Sequence, residues 1–288
     1  MSALRRSAVA LLAAFTLAAC AAQPARTGAG SRATAGADAG ARPLPAVSEQ
    51  AARDELARRA DLPEPDRAVR PSPSKAVTSP KPAPNDASRL RTLPADTTQV
   101  IVVKASGFGT STGTLRAFSK RGTTWTPAFS EMPARLGTKG FKDSKVEGDL
   151  ASPTGVYSFG RTMYGIAADP GVRYDYHRLV ENDWWNENPA TEGYNSFFHG
   201  ADPGGASEAL WETDPQYRYF AVINYNIPVR PADPPRGSGI FLHVMVPGRS
   251  TAGCVALAEP DLVKVLRWLD PAAKPRIVMA PASELSRY

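Results

Sequence analysis

No Phe, Trp or Tyr lies between Phe15 and Phe108; every later aromatic falls from Phe108 onward. A buried core needs large apolar side chains to offset chain entropy, so this gap restricts where a core can form. Residues 21–96 are dominated by Ala, Pro, Arg, Ser and Asp, a composition that stays disordered. Pro63, Pro65, Pro71, Pro73, Pro80, Pro82 and Pro84 make its second half a semi-extended spacer. Ser48–Asp61 reads as a short charged helix whose single Leu, Leu56, gives it no core face. The expected organisation is a leader at 1–20, a disordered linker at 21–96 and one folded domain at 97–284.

Residues 1–20 read as an export signal. Arg5 and Arg6 supply a positive start, and Ala8–Ala19 is apolar but too short to span a bilayer as a mature helix. The segment closes Leu17-Ala18-Ala19-Cys20, which resembles the lipobox of bacterial lipoproteins. That resemblance implies cleavage before Cys20, lipid on its sulfur, and a protein anchored at the cell membrane facing a wall or periplasm. The only other cysteine is Cys254. A leftover thiol in an oxidising compartment points to pairing between molecules or to a reactive group.

The formal charge of +6 is spread along the chain with no Lys/Arg-rich block, which reads as a soluble basic protein rather than as a polyanion binder. No phosphate-binding loop, dinucleotide fingerprint or basic-aromatic nucleic-acid module occurs, and a monomer is expected. The three histidines show no metal-ligand spacing, so neither a metal site nor a cofactor is expected.

Chemistry concentrates in Ser238–Leu257, SGIFLHVMVPGRSTAGCVAL. Period-2 alternation places Phe241, His243 and Met245 on one face of a strand, with Ile240, Leu242, Val244 and Val246 on the other. A turn through Pro247-Gly248 and Ser250-Thr251 returns the chain and brings Cys254 back beside His243. A thiol next to an imidazole is what a nucleophile and its base require. Around it, Val100–Val103, Thr114–Ser119, Thr123–Phe129, Thr154–Phe159, Tyr217–Tyr225, Cys254–Leu257 and Ile277–Met279 read as strands, with Ser152-Pro153 as a turn. Pro260 followed by Leu262, Val263, Leu266 and Leu269 predicts one helix, stopped by Asp270-Pro271. The fold class is mainly β, with one short helix after the nucleophile.

Residues 98–280 resemble the YkuD-type L,D-transpeptidase catalytic domain, in an actinobacterial-type subgroup. Four passages carry the likeness in order: Gly148-Asp149-Leu150-Ala151-Ser152-Pro153-Thr154-Gly155-Val156-Tyr157; Asp183-Trp184 with Tyr194-Asn195; Ile240-Phe241-Leu242-His243; and Thr251-Ala252-Gly253-Cys254-Val255-Ala256-Leu257. The Leu266–Pro271 helix end also fits. The resemblance implies a β-sandwich-like domain with its active site under a flap. It implies that Cys254 attacks a peptidoglycan stem peptide to give a thioester, with His243 as base for thiol and acceptor amine. Backbone N–H groups of Gly253 and Cys254 are candidate oxyanion donors. Thr251 and Ser250 are supporting candidates, and Asp183, Trp184, Tyr194, Asn195 and His199 are candidate substrate contacts. The Trp184-Trp185 pair suits a groove or a core equally. His199 is the competing base, although it lies 55 residues before Cys254. The chain departs from the family pattern at Ala252 and Ala256, where many members carry His and Arg or Asn, and its His–Cys gap is shorter. Those departures leave open a stem-peptide carboxypeptidase with the same pair, or an inactive wall-binding module.

Overall fold

The computed structural model describes residues 83–288. The leader, Cys20 and most of the linker expectation lie outside these described residues. Among the described residues no helix is long and apolar enough to cross a membrane.

The β-branched run Val100–Val103 is the buried centre of β1 (Gln99–Ala105). β2 (Thr112–Arg121) and β3 (Thr124–Pro127) form the expected hairpin, turning at Gly122 with φ +57°, a left-handed conformation glycine adopts without strain. With β4 (Met132–Arg135), β7 (Gly155–Tyr157), β8 (Phe159–Gly165), β9 (Asp175–Arg178), β13 (Phe220–Ile223), β14 (Phe241–Val244), β15 (Val255–Leu257) and β16 (Arg276–Pro281), they build an 11-stranded mixed sheet. Its order is β7-β16-β1-β2-β4-β15-β14-β13-β8-β9, with β3 beside β2. Only Ser158 separates β7, at one edge, from β8, near the other, so the sheet curls back towards itself.

One face packs Ile101, Leu115, Met163, Leu242, Val255 and Leu257 into the main core. The predicted helix, α2 (Glu259–Trp268), closes it with Leu262, Val265 and Leu266, and Leu269 follows at its end. Pro260 sits in its first turn, with Glu259 and Asp261 at the positive end of the helix dipole and Arg267 at the negative end. Val265, not the expected Val263, completes the buried stripe. Each fully buried Leu contributes about 1.5–3 kcal/mol. On the other side of β1 a short helix, α1 (Asp86–Arg89), is capped by Asn85. Its Ala87 packs with Val100, Val102, Phe118 and Leu285.

Three expectations need correction. Tyr217–Tyr225 is not one strand: a 3-10 turn at Gln216–Arg218 precedes β13, because Tyr217 turns inward to pack on Phe220 and Phe241. Ser152-Pro153 is not a turn but β6 (Ser152–Pro153), parallel to β5 (Phe141–Lys142). Thr154–Phe159 breaks at Ser158 into β7 and β8, which belong to distant parts of the sheet. A second sheet, unforeseen in the sequence, joins β10 (Asp183–Asn186), β11 (Ser196–His199) and β12 (Glu208–Ala209) in the order β11-β10-β12. It contributes Trp185 to a cluster with Leu179, Leu210, Tyr217, Phe220, Phe241 and Cys254, and so covers the sheet where the thiol lies.

Candidate active site

β14 and β15 run parallel, with Leu242 opposite Val255 and His243 opposite Ala256. Cys254 therefore precedes β15 at the level of Phe241, whose backbone N–H donates to Cys254 Sγ at 3.3 Å. Leu242, Val244, Val255 and Leu257 point into the main core, while Phe241 and Cys254 share the second cluster. Strand alternation thus puts His243 and Cys254 on the same face. Both line a cavity of about 210 Å³ with Glu208, Tyr217, Arg249 and Ala256. Ser250, Thr251 and Ala252 form its rim.

The tautomer of His243 follows from its one ring contact. Nδ1 stands 2.8 Å from the Val244 carbonyl oxygen, which can only accept, so Nδ1 carries the proton and Nε2 keeps a lone pair. The Tyr217 ring meets the imidazole edge to face at 5.8 Å. Burial lowers the His243 pKa to about 4, so the ring is neutral near pH 7. Burial also pushes the Cys254 thiol well up, reinforced by the Glu208 carboxyl nearby. The thiol proton is donated to the Gly239 carbonyl at 3.2 Å. The resting pair is therefore neutral thiol and neutral imidazole, not a preformed ion pair.

The loop carrying the thiol is pinned from several sides. Ser152, in the position where the resemblance has Thr, donates through Oγ to the Gly253 carbonyl at 2.7 Å and accepts the Gly137 N–H at 2.9 Å. Thr251 Oγ1 donates to the Cys254 carbonyl at 2.7 Å and accepts the Gly253 N–H at 3.1 Å. Of the two candidate oxyanion donors, the Gly253 N–H is thus already engaged, whereas Thr251 leaves the Cys254 N–H unoccupied. Ser250 Oγ meets Thr138 Oγ1 at 2.7 Å. Gly253 has φ +155°, and a Cβ there would stand 2.9 Å from the Ala151 carbonyl oxygen. Only glycine allows the two loops to approach this closely.

The other candidates lie outside the cavity lining. Asn195 is buried and acts as a brace: its Oδ1 accepts the Gly239 N–H and Trp185 Nε1–H, both at 3.1 Å, and its Nδ2 donates to the Tyr225 and Asn226 carbonyls. It thereby holds Gly239, the residue that receives the thiol proton. Tyr194 donates its hydroxyl to Glu147. Trp184 is half-buried, edge-on to Trp211 at 5.0 Å. Trp185 is buried against Phe241 at 5.0 Å and belongs to the core. Asp183, fully buried, bridges His177 Nε2 at 2.7 Å and His199 Nδ1 at 2.8 Å. Burial works to raise the Asp183 pKa, but the Val180 N–H and the two imidazoles outweigh it and hold the carboxyl below its usual range. His199 is exposed and tied to this aspartate, away from the thiol. Among the described residues no group of three or more His, Cys, Asp or Glu is arranged to hold a metal.

Sequence reasoning missed Glu208, Tyr217, Gly239 and Arg249. Tyr217 donates its hydroxyl to Glu208, whose carboxyl is pushed up by burial although that bond opposes the shift. Glu187, beside Gly239, is pushed up to about 9 by burial and then by Glu208. No spacing rule links residues 187, 208 and 217 to 243 and 254, so nothing local in the sequence announces them.

A family model described as YkuD, L,D-transpeptidase catalytic domain, matches residues 98–278. No curated protein matches the chain. Two solved structures of the helical cell shape determining protein Pgp2 from Campylobacter jejuni show a weak likeness. A point mutant is 18% identical over 64% of this chain and 47% of that one, with a TM-score of 0.35. The other is 17% identical over 63% and 47%, with a TM-score of 0.34. The chain spans about half the length of those structures, and at such scores the likeness carries no argument.

Proposed function

The chain belongs to the YkuD L,D-transpeptidase catalytic domain family, and on that premise we propose that it is a peptidoglycan L,D-transpeptidase working through Cys254 and His243. The observation that carries this reading is the Nδ1–H tautomer of His243, which leaves the Nε2 lone pair free on the strand face that also bears Cys254. His243 Nε2 takes the Cys254 proton as Sγ attacks a stem-peptide carbonyl. A Cys254 Sγ–C bond forms, the C–N bond breaks, and the imidazolium returns its proton to the leaving amine. An acceptor amine then attacks the thioester, gives its proton to Nε2, and releases the thiol. The oxyanion of each tetrahedral intermediate is assigned to the Cys254 N–H. Because thiol and imidazole rest neutral, the proton moves only as the new bond forms.

The proposed setting is an exported protein held at the cell membrane by lipid on Cys20, acting on peptidoglycan stem peptides and cross-linking the wall. The test is intact mass spectrometry after incubation with a carbapenem. A stoichiometric adduct is expected, and it should vanish in Cys254→Ala, which exchanges one small side chain for another. An adduct that persists in Cys254→Ala would overturn the assignment of the nucleophile. Transfer of the acyl group to an added amine, against release of free acid alone, separates transferase from carboxypeptidase.

A further inference from the structure

Two cavities away from the thiol abut along Ser158 and Arg276, one of about 380 Å³ and one of about 570 Å³. Neither shares a lining residue with the cavity of Cys254 and His243. Arg161 and Lys274 line the first, Arg230 and Arg236 the second, and Arg276 both. None of these five cations has an ion-pair partner among the described residues. Two carboxylates face them. Asp143 is already paired with Arg287, which leaves Asp175 as the one without an ion pair. Over residues 83–288 Lys and Arg exceed Asp and Glu by a single residue, so the groove's positive charge is local rather than a share of a basic domain.

We propose that this double groove binds a flexible linear polymer carrying a phosphate group at each repeat. The cations are divided between two adjoining hollows, so one small anion cannot meet them all, whereas a repeating anion can. Four of the five are arginines, whose planar forks offer paired N–H donors to phosphate oxygens. The inner wall of the larger hollow includes buried Lys145. Its Cε stands 3.6 Å from where a Cβ on Gly253 would be, so the groove backs onto the nucleophile loop without opening into it. A polymer lying there keeps the catalytic cavity free and holds the domain against an anionic matrix. The inference goes beyond the transpeptidase reading and stands independently of it.

The test measures binding of long-chain polyphosphate to the full chain by fluorescence anisotropy across a salt series. Polyglutamate and a DNA duplex serve as comparison ligands. Binding should weaken as salt screens the groove. Arg236→Gln with Arg276→Gln should raise the polyphosphate Kd about tenfold, the size expected from losing roughly 1.4 kcal/mol of charge attraction. Lys120→Gln with Arg121→Gln removes the same charge from the exposed β2–β3 hairpin and should leave Kd unchanged. An unchanged thermal melting curve would show that the groove variant remains folded. Equal effects in the two double variants, or none in either, would overturn the site. Tighter binding of polyglutamate would overturn the phosphate assignment, and equal binding of DNA would overturn selectivity for a flexible polymer.

Discussion

The burial that makes His243 costly also keeps its imidazole neutral. Its folded pKa of about 4 lies below the ordinary value of 6.5. Between those values the unfolded chain binds a proton that the folded chain refuses, so stability falls as pH drops through this window. The loss is on the order of 3 kcal/mol once both values are passed. His243→Gln should flatten the decline of the urea midpoint between pH 6.5 and 4, and an unchanged decline would contradict the neutral imidazole. In the enzyme, the acid limb of the acylation rate should fall near pH 4 rather than 6.5. His243→Ala should slow acylation roughly 10²–10⁴-fold, read from the rate of adduct formation. A rate left unchanged would shift the base to another residue, although His199 is held by Asp183 on an exposed edge. At this scale the sequence was legible for His243 and Cys254, because an alternating strand and a return turn are local patterns. It was silent about Gly239, whose carbonyl takes the thiol proton, and about Asn195, which holds that glycine from a distant loop.

Among elements, the three-stranded sheet β11-β10-β12 is the cover over the thiol, and Asp183 is its fastening. One carboxylate oxygen accepts from His199 on β11, and the other from His177 on β9 in the large sheet. Asp183→Asn replaces one acceptor oxygen with a donor and removes the charge that holds the imidazoles. It should cost about 1–3 kcal/mol and speed hydrogen exchange in β10 and β11 while leaving β1 and β2 protected. Uniform loss of protection would mean that the contact supports the whole fold rather than the cover. The Asp183 pKa is depressed, so its contribution is present above the ordinary carboxylate value and disappears as pH falls through the folded one. The helix α2 was readable from its stripe and its proline. The cover was not, since Asp183–Asn186, Ser196–His199 and Glu208–Ala209 are too short to show a period.

For the molecule as a whole, the packing around β1 bears on where the domain can be cut. Ala87 of α1 is buried, and the backbone N–H groups of Arg91 and Thr92 both donate to the Tyr288 carbonyl. A chain beginning at residue 83 should therefore melt several degrees above one beginning at 97, the difference expected for about 1 kcal/mol in a domain of this size. Equal melting temperatures would make α1 a passenger. Both chains should keep carbapenem acylation, because neither cut reaches β14 or β15.

The sequence by itself determined roughly where the core forms, because after Phe15 the aromatic side chains are confined to the region from Phe108 onward and the β-branched run Val100–Val103 leads into it. It also determined that a buried strand would carry His243 and that the chain would turn back before Cys254, which lines the same cavity. Each of those results depends on residues within a few positions of one another. Only the tertiary structure decided which groups surround the thiol. Glu208 and Tyr217 reach Cys254 because β12 joins the cover and the 3-10 turn at Gln216–Arg218 packs inward. Arg230 and Arg276 share one hollow because the loop after β13 and the start of β16 meet where the sheet curls. Contacts of that kind are set by strand pairing and closure across the whole fold, and no local period encodes them.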